Sequence, residues 1–307
     1  MISFSHVSKH YRSLLGREVR ALTDFSLDVR QGEVFGLAGP NGAGKSTLIS
    51  LLLGYLAPTS GTVRIHGQEP RRYVESHGVG YLSELVNMPP AWRVSTALER
   101  YALLAGVPRP ALAARVADAI ERLGLTEHTR KRVRQLSKGN LQRLGLAQSL
   151  LCDERIVVLD EPTHGLDPLW TQRFRDIVEG LRRPDCTILI ASHNLDELAR
   201  VADRVAILDH GQLQRIVDVR ATEHLVTDGA PYRLGVSRGE EQVVGQFPTA
   251  RVLGRGEFEL HGASLETINA GVAQLIHHGV LVNALVPLHS ALEQQFREAV
   301  GAPTEER

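Results

Sequence analysis

Gly39, Pro40, Asn41, Gly42, Ala43, Gly44, Lys45 and Ser46 follow the spacing G-x-x-x-x-G-K-S, with Thr47 next in line. Each element of that spacing has a chemical use. Glycines let successive backbone N–H groups turn inward around a phosphate, and a helix opening at the end of the loop presents its positive dipole to the same anion. Lys45 is spaced to reach β- and γ-phosphates, and the Ser46 hydroxyl to take a coordination site on Mg²⁺. Further on, the apolar run 156–159 ends in Asp160 and Glu161. A carboxylate at such a terminus can hold Mg²⁺ directly or through water, and its neighbour can polarise a water attacking a γ-phosphate. A solvated acidic turn explains the pair equally well in isolation; the glycine loop in the same chain favours phosphoryl chemistry. His193, just past the run 187–191, reads either as a satisfied structural histidine or as a donor to the γ-phosphate that fixes the water.

These groups need a scaffold that brings them to one edge. Residues 34–38 form a short apolar run before the glycine loop, and 48–56 read as a buried helix after it. The runs 156–159, 187–191 and 205–208 have the length and polar bounds of parallel strands covered on both faces, while 168–181 and 195–201 read as helices between them. The alternation predicts an α/β, doubly wound sheet with its ligand beyond the carboxyl ends of the strands. Residues from about 87 to 150 are rich in Ala, Leu and Arg at helical spacing, which predicts an inserted helical subdomain within a body spanning 1–218. Beyond that, 219–307 predict a small appended α+β domain: strands in YRLGV, EFELHG and VLVNALVP, an amphipathic helix over 264–279 and a last helix over 289–300.

The 307 residues are 43 % hydrophobic and 23 % charged, ordinary globular values that exclude disorder as the main state. Thirty-five basic side chains balance thirty-five acidic ones, so the overall charge lacks the footprint of a nucleic-acid binder. The balance is uneven: 219–307 hold 7 Lys and Arg against 11 Asp and Glu. Cys152 and Cys186 are too few for a disulfide framework, which points to a reducing, cytosolic compartment. No apolar run approaches the ~18 residues of a spanning helix, so a membrane role must pass through a partner.

One more segment gives these pieces a collective likeness. Leu136, Ser137, Lys138, Gly139, Asn140, Leu141, Gln142 and Arg143 look like the signature LSGGQ-x-Q-R, and stand between the glycine loop and the acidic strand. Its serine and glycine amides are expected to open a helix over 141–151 with its positive end toward an anion, and in isolation Ser137 reads equally well as a helix N-cap. In this order, residues 2–215 resemble the ATP-binding-cassette (ABC) ATPases. The resemblance implies a P-loop NTPase fold of ABC type, ATP and Mg²⁺ as cofactors, and two chains meeting head to tail. ATP held by Tyr11, Lys45, Ser46 and Asp160 of one chain is then closed over by Ser137 and Gly139 of the other. It implies adenine stacking for Tyr11, whose other reading is a buried strand-end tyrosine, and an interface loop at Gly165, Leu166 and Asp167. Glu84 falls where many members carry a glutamine that senses Mg²⁺ and touches the membrane partner. Three departures stand out: Lys138 and Asn140 in the signature, His164 for a common serine, and Glu84 itself.

Glu84 and the Ser137-Lys138-Gly139 signature together look like the subgroup that serves exporter-type permeases of the ABC-2 class. The implied role is an ATP-hydrolysing subunit at the cytoplasmic side of the cell membrane, powering a separate integral permease. The rival readings are a soluble cassette acting on ribosomes or DNA, and a kinase or GTPase of the wider phosphate-loop class; no N-K-x-D guanine motif is present. The basic cluster Arg130, Lys131, Arg132 and Arg134 reads as a solvated helix end or as a surface for acidic loops or lipid headgroups. His277 and His278 are adjacent, unlike ligands on one helix face, so the tail predicts a dimer or regulatory contact rather than chemistry.

Overall fold

The computed structural model describes residues 1–12, 18–152, 155–222, 231–261, 264–288 and 291–300. The chain forms two compact units, Met1–Asp218 and Val219–Arg307.

In the first unit, β1 (Ile2–Arg12) and β2 (Glu18–Val29) pair antiparallel, followed by β3 (Val34–Ala38), α1 (Lys45–Leu52), β4 (Ser60–Ile65), α2 (Pro70–His77) and β5 (Gly80–Leu82). The helical segment holds α3 (Val94–Leu104), α4 (Arg109–Arg122) and α5 (Lys138–Ser149). Then come β6 (Ile156–Asp160), α6 (Pro168–Leu181), β7 (Thr187–Ser192), α7 (Leu195–Val201), β8 (Arg204–Asp209) and β9 (Gln212–Asp218). The strands build two sheets: a three-stranded antiparallel one in the order β2-β1-β4, and a six-stranded one in the order β5-β6-β7-β3-β8-β9. All neighbours in the larger sheet run parallel except β8 and β9.

Continuous apolar runs form the central strands because both of their faces are covered. Phe35 and Leu37 of β3 join Leu48, Leu51 and Leu52 of α1 and Ile2, Phe4 and Phe25 of the antiparallel sheet in one core. Gly36 faces the opposite way, where an added Cβ would stand 2.8 Å from Val205 and 3.2 Å from Leu198, so α7 packs close on that side. Loop segments brace the helical subdomain: the Val94 amide donates to the Lys131 carbonyl and the Val133 amide to the Trp92 carbonyl. The signature helix starts at Lys138 rather than Leu141, since the Ser137 hydroxyl accepts from the Asn140 amide and caps it.

The second unit contains α8 (Val219–Thr222), β10 (Tyr232–Arg238), α9 (Glu240–Gln246), β11 (Arg251–Gly254), β12 (Glu257–Leu260), α10 (Leu265–His277), β13 (Leu281–Pro287) and α11 (Ala291–Val300). Its four strands are antiparallel in the order β11-β12-β10-β13. With α9 after β10 and α10 after β12, this is the β-α-β-β-α-β split arrangement of ferredoxin-like domains. Tyr232, Leu234, Val236, Phe258 and Leu260 pack against Val243, Phe247, Ile268, Val272 and Leu275. The last helix is described from Ala291; residues 289 and 290 of its expected span lie outside the described residues.

Candidate active site

Because β3, β6 and β7 run parallel, their carboxyl ends share one edge. Ala38 pairs with Ser192 and Asp160 with Ala191, so the glycine loop, the acidic pair and His193 leave the sheet side by side. The Glu161 amide bonds to the Ala191 carbonyl at 2.9 Å, extending the ladder by one residue, and φ then turns to 48°. That left-handed conformation costs a side-chain-bearing residue on the order of 1–2 kcal/mol.

A cleft of about 450 Å³ lies at this edge, within the usual size of ligand pockets. Tyr11, Asn41, Gly42, Gly44, Lys45, Ser46, Thr47, Glu84, Asp160 and Glu161 line it, each of them a site residue expected from the sequence. Val19, Arg20 and Ala21 of β2 also line it; no motif in the sequence marks them. The loop is shaped for its position. A Cβ at Gly39 would stand 2.6 Å from the Leu208 carbonyl oxygen, and Gly42 and Gly44 hold φ of 84° and 107°. Lys45 is buried, and its ammonium donates to the carbonyls of Gly39 (2.6 Å) and Pro40 (3.2 Å), while the Ala43 amide also bonds to Pro40. Tyr11 reaches the cleft from β1, its hydroxyl 3.5 Å from that of Thr47 and the Lys9 ammonium 5.5 Å from its ring centroid.

The electrostatics are strained. Burial pushes the Asp160 carboxyl up to about 6, and the negative charges of Glu84 and Glu161 add to the push, opposed by Lys45. Burial also lowers the Lys45 ammonium, while Glu161, Asp160 and Glu84 raise it. Glu161 is held from one side: the His193 amide donates to its Oε1 at 3.0 Å, His193 Nδ1 lies 2.9 Å from Oε2, and the Ser192 hydroxyl lies 3.3 Å from Oε2. His193 therefore touches the carboxylate rather than the cleft wall. Ser192 has no signature of its own; only its place before His193 could have flagged it.

Ser137, Gly139 and Asp167 are not in this cleft. Ser137 caps α5, Asp167 caps α6 by accepting from the Trp170 amide at 2.9 Å, and Gly139 lies against the Gly165 carbonyl. Gln142, buried on α5, donates to the carbonyls of Glu161 (3.0 Å) and Pro162 (3.2 Å), tying the signature helix to the turn behind the acidic pair.

Residues 22–164 match the ABC transporter family. An uncharacterised ABC transporter ATP-binding protein of Nostoc sp. is 40 % identical over 69 % of this chain, and the chain spans 65 % of that relative's length. YhcH of Bacillus subtilis, another uncharacterised ABC transporter ATP-binding protein, is 30 % identical over 100 % of this chain and 98 % of its own. A methionine import ATP-binding protein, MetN of Caulobacter vibrioides, is 38 % identical over 73 % of this chain and 68 % of its own. A dimeric bacterial ABC transporter cassette superposes with a TM-score of 0.67 at 23 % identity, covering 72 % of this chain and 99 % of that one, which speaks for the fold. Among the described residues no helix is long and apolar enough to cross a membrane. The chain belongs to the ABC transporter ATP-binding proteins, a family of ATPases.

Proposed function

We propose that this protein is the ATP-hydrolysing subunit of a transporter, closing on ATP with a second copy and driving a separate integral permease. The observation that carries the reading is the division of the motif residues. Tyr11, the glycine loop, Asp160 and Glu161 share one cleft, whereas Ser137 and Gly139 lie outside it. A chain whose signature cannot reach its own phosphates needs another chain's signature to finish the chamber.

In this reading the amides of Gly42, Ala43, Gly44 and Lys45 cradle the phosphates at the start of α1, and the Lys45 ammonium leaves the loop carbonyls for the β- and γ-oxygens. Ser46 and Thr47 follow at the first turn. Tyr11 offers adenine the ring face that Lys9 does not occupy. Glu161 polarises the attacking water: Oε2 accepts from both the His193 ring and the Ser192 hydroxyl, while Oε1 accepts only from the His193 amide and keeps a lone pair for the water proton. His193 thereby positions the base, and Nε2, on the opposite side of its ring, donates to the γ-phosphate when the ring carries both protons. Ser137 and Gly139 of the second copy present a helix start to that phosphate, and Asp167 lies at the joint between copies.

The donors suit Mg²⁺. Ser46, Asp160 and Glu84 offer oxygen only, and burial, with the negative charges of Glu84 and Glu161 added, raises Asp160 to about 6. Bound there, Mg²⁺ would neutralise charge developing on the phosphates.

Export is the direction this reading carries. Its support is the resemblance of Glu84 and the Ser137-Lys138-Gly139 signature to the exporter-associated subgroup; the MetN relative, an import protein by name, matches 73 % of this chain. The seat of the protein is the cytoplasmic face of the membrane, through the permease, with residues 219–307 as an accessory domain. The test is Glu161→Gln with MgATP. Accumulation of an ATP-bound dimer that co-purifies with a membrane protein supports the reading; undiminished hydrolysis, or a chain that stays single, refutes it. Substrate flux in inside-out against right-side-out vesicles decides direction.

A further inference from the structure

Two departures from the ABC pattern, Lys138 in the signature and His164 before Asp167, are 26 residues apart in sequence yet touch: the Lys138 ammonium donates to His164 Nε2. The contact has a built setting. The Lys138 stem crosses Gly165, where a Cβ would stand 3.1 Å from Lys138 Cδ and where φ is 78°. Gly139 lies on the Gly165 carbonyl, 3.0 Å from where its own Cβ would be. The His164 amide donates to the Glu161 carbonyl at 3.1 Å, closing the turn that leaves Glu161. One helical turn along α5 from Lys138, Gln142 donates to the Glu161 and Pro162 carbonyls. Residues i and i+4 share a helix face. A single face of α5 therefore grips the 161–165 turn twice, at a buried anchor and at an exposed rim.

We propose that Lys138 and His164 are positioning residues for hydrolysis. Their bond fixes the signature end of α5 against the turn of the same chain's Glu161, so the half-site a chain lends and the base it keeps move as one body. Gln142 supplies the fixed pivot. Lys138 supplies the adjustable end: without it, α5 can tilt about Gln142 and carry the Ser137 and Gly139 amides off their line. This deepens the proposed function and rests on it.

The test uses the full-length chain and four variants: Lys138→Gly, His164→Ser, the two combined, and Lys138→Arg. Steady-state ATP turnover gives kcat and KM, and calorimetry with ADP gives the affinity of the chain's own cleft. Each single change is expected to lower kcat about three- to tenfold, as a displaced group does, with ADP affinity within about twofold. The combined variant should be no slower than the worse single, because both remove one interaction. Lys138→Arg, which keeps a donor, should restore most of the rate. Unchanged kcat in the singles, or a combined loss equal to their product, overturns the proposal. Should Lys138→Gly melt early, Lys138→Met, which keeps the stem and removes the ammonium, takes its place with the same expectations. A wild-type chain that turns over no ATP overturns the proposed function as well; turnover indifferent to all variants overturns the positioning role alone.

Discussion

His193 binds both carboxylate oxygens of Glu161, its amide donating to Oε1 at 3.0 Å and its Nδ1 lying 2.9 Å from Oε2. The amide bond survives any substitution except proline, whereas the ring bond does not. His193→Ala should therefore leave Oε2 to the longer Ser192 hydroxyl bond alone and cut kcat about 100-fold, with ADP affinity unchanged. Turnover and calorimetry on the same preparation check both halves.

The loop glycines should differ in kind. At Gly39 a Cβ would stand 2.6 Å from the Leu208 oxygen and 2.9 Å from the Ala43 Cβ, so Gly39→Ala must displace backbone. Its expected cost is about 2–3 kcal/mol, with loss of most nucleotide affinity. At Gly42, φ is 84° with nothing within 4 Å, so Gly42→Ala should cost only about 1 kcal/mol of conformational strain. Thermal melts with and without ADP separate the two.

Asp160 sets a pH signature. Its carboxyl is raised from 3.8 to about 6, so the folded chain binds a proton more readily than the unfolded one. Stability from this group is present at low pH and is lost as pH rises from about 4 through about 6. Asp160→Asn removes the loss and should stabilise the metal-free chain by about 3 kcal/mol above pH 7, with the difference closing toward pH 4. Melts in EDTA across that range test the sign; a variant less stable than wild type at pH 7.5 contradicts it.

Gly271 of α10 lies against Phe247, where a Cβ would stand 2.4 Å from the ring. Gly271→Ala should overpack that core by about 1–3 kcal/mol. Hydrogen exchange should then quicken over 232–286 while the amides of 34–52 keep their protection and ADP affinity holds.

What could be read ahead of the structure follows from where each feature is encoded. The phosphate loop and Glu161 were legible because contiguous residues must do contiguous chemistry. The central strands were legible because burial on both faces leaves an unbroken apolar run. β1 and β2 were not: their exposed and half-buried positions mix Lys, His, Ser and Glu into the strands, and Val19, Arg20 and Ala21 of β2 went unnoticed in the cleft. α5 starts three residues before the expected Leu141, since Lys138, Gly139 and Asn140 carry no apolar period and only Ser137 marks the end. β11 is exposed at all four residues and so has no alternation to detect. The meeting of Lys138 with His164 is a property of the turn after β6 and is written in no single segment.

The floor and the side wall of the cleft come from different sheets. Lys45 follows β3 of the parallel sheet, and Tyr11 lies on β1 of the antiparallel one. A molecule touching both acts as a rivet between the layers, so its occupancy and their sliding are one thermodynamic variable. Whatever pries the layers apart must eject the occupant, and the occupant must in turn stiffen the seam.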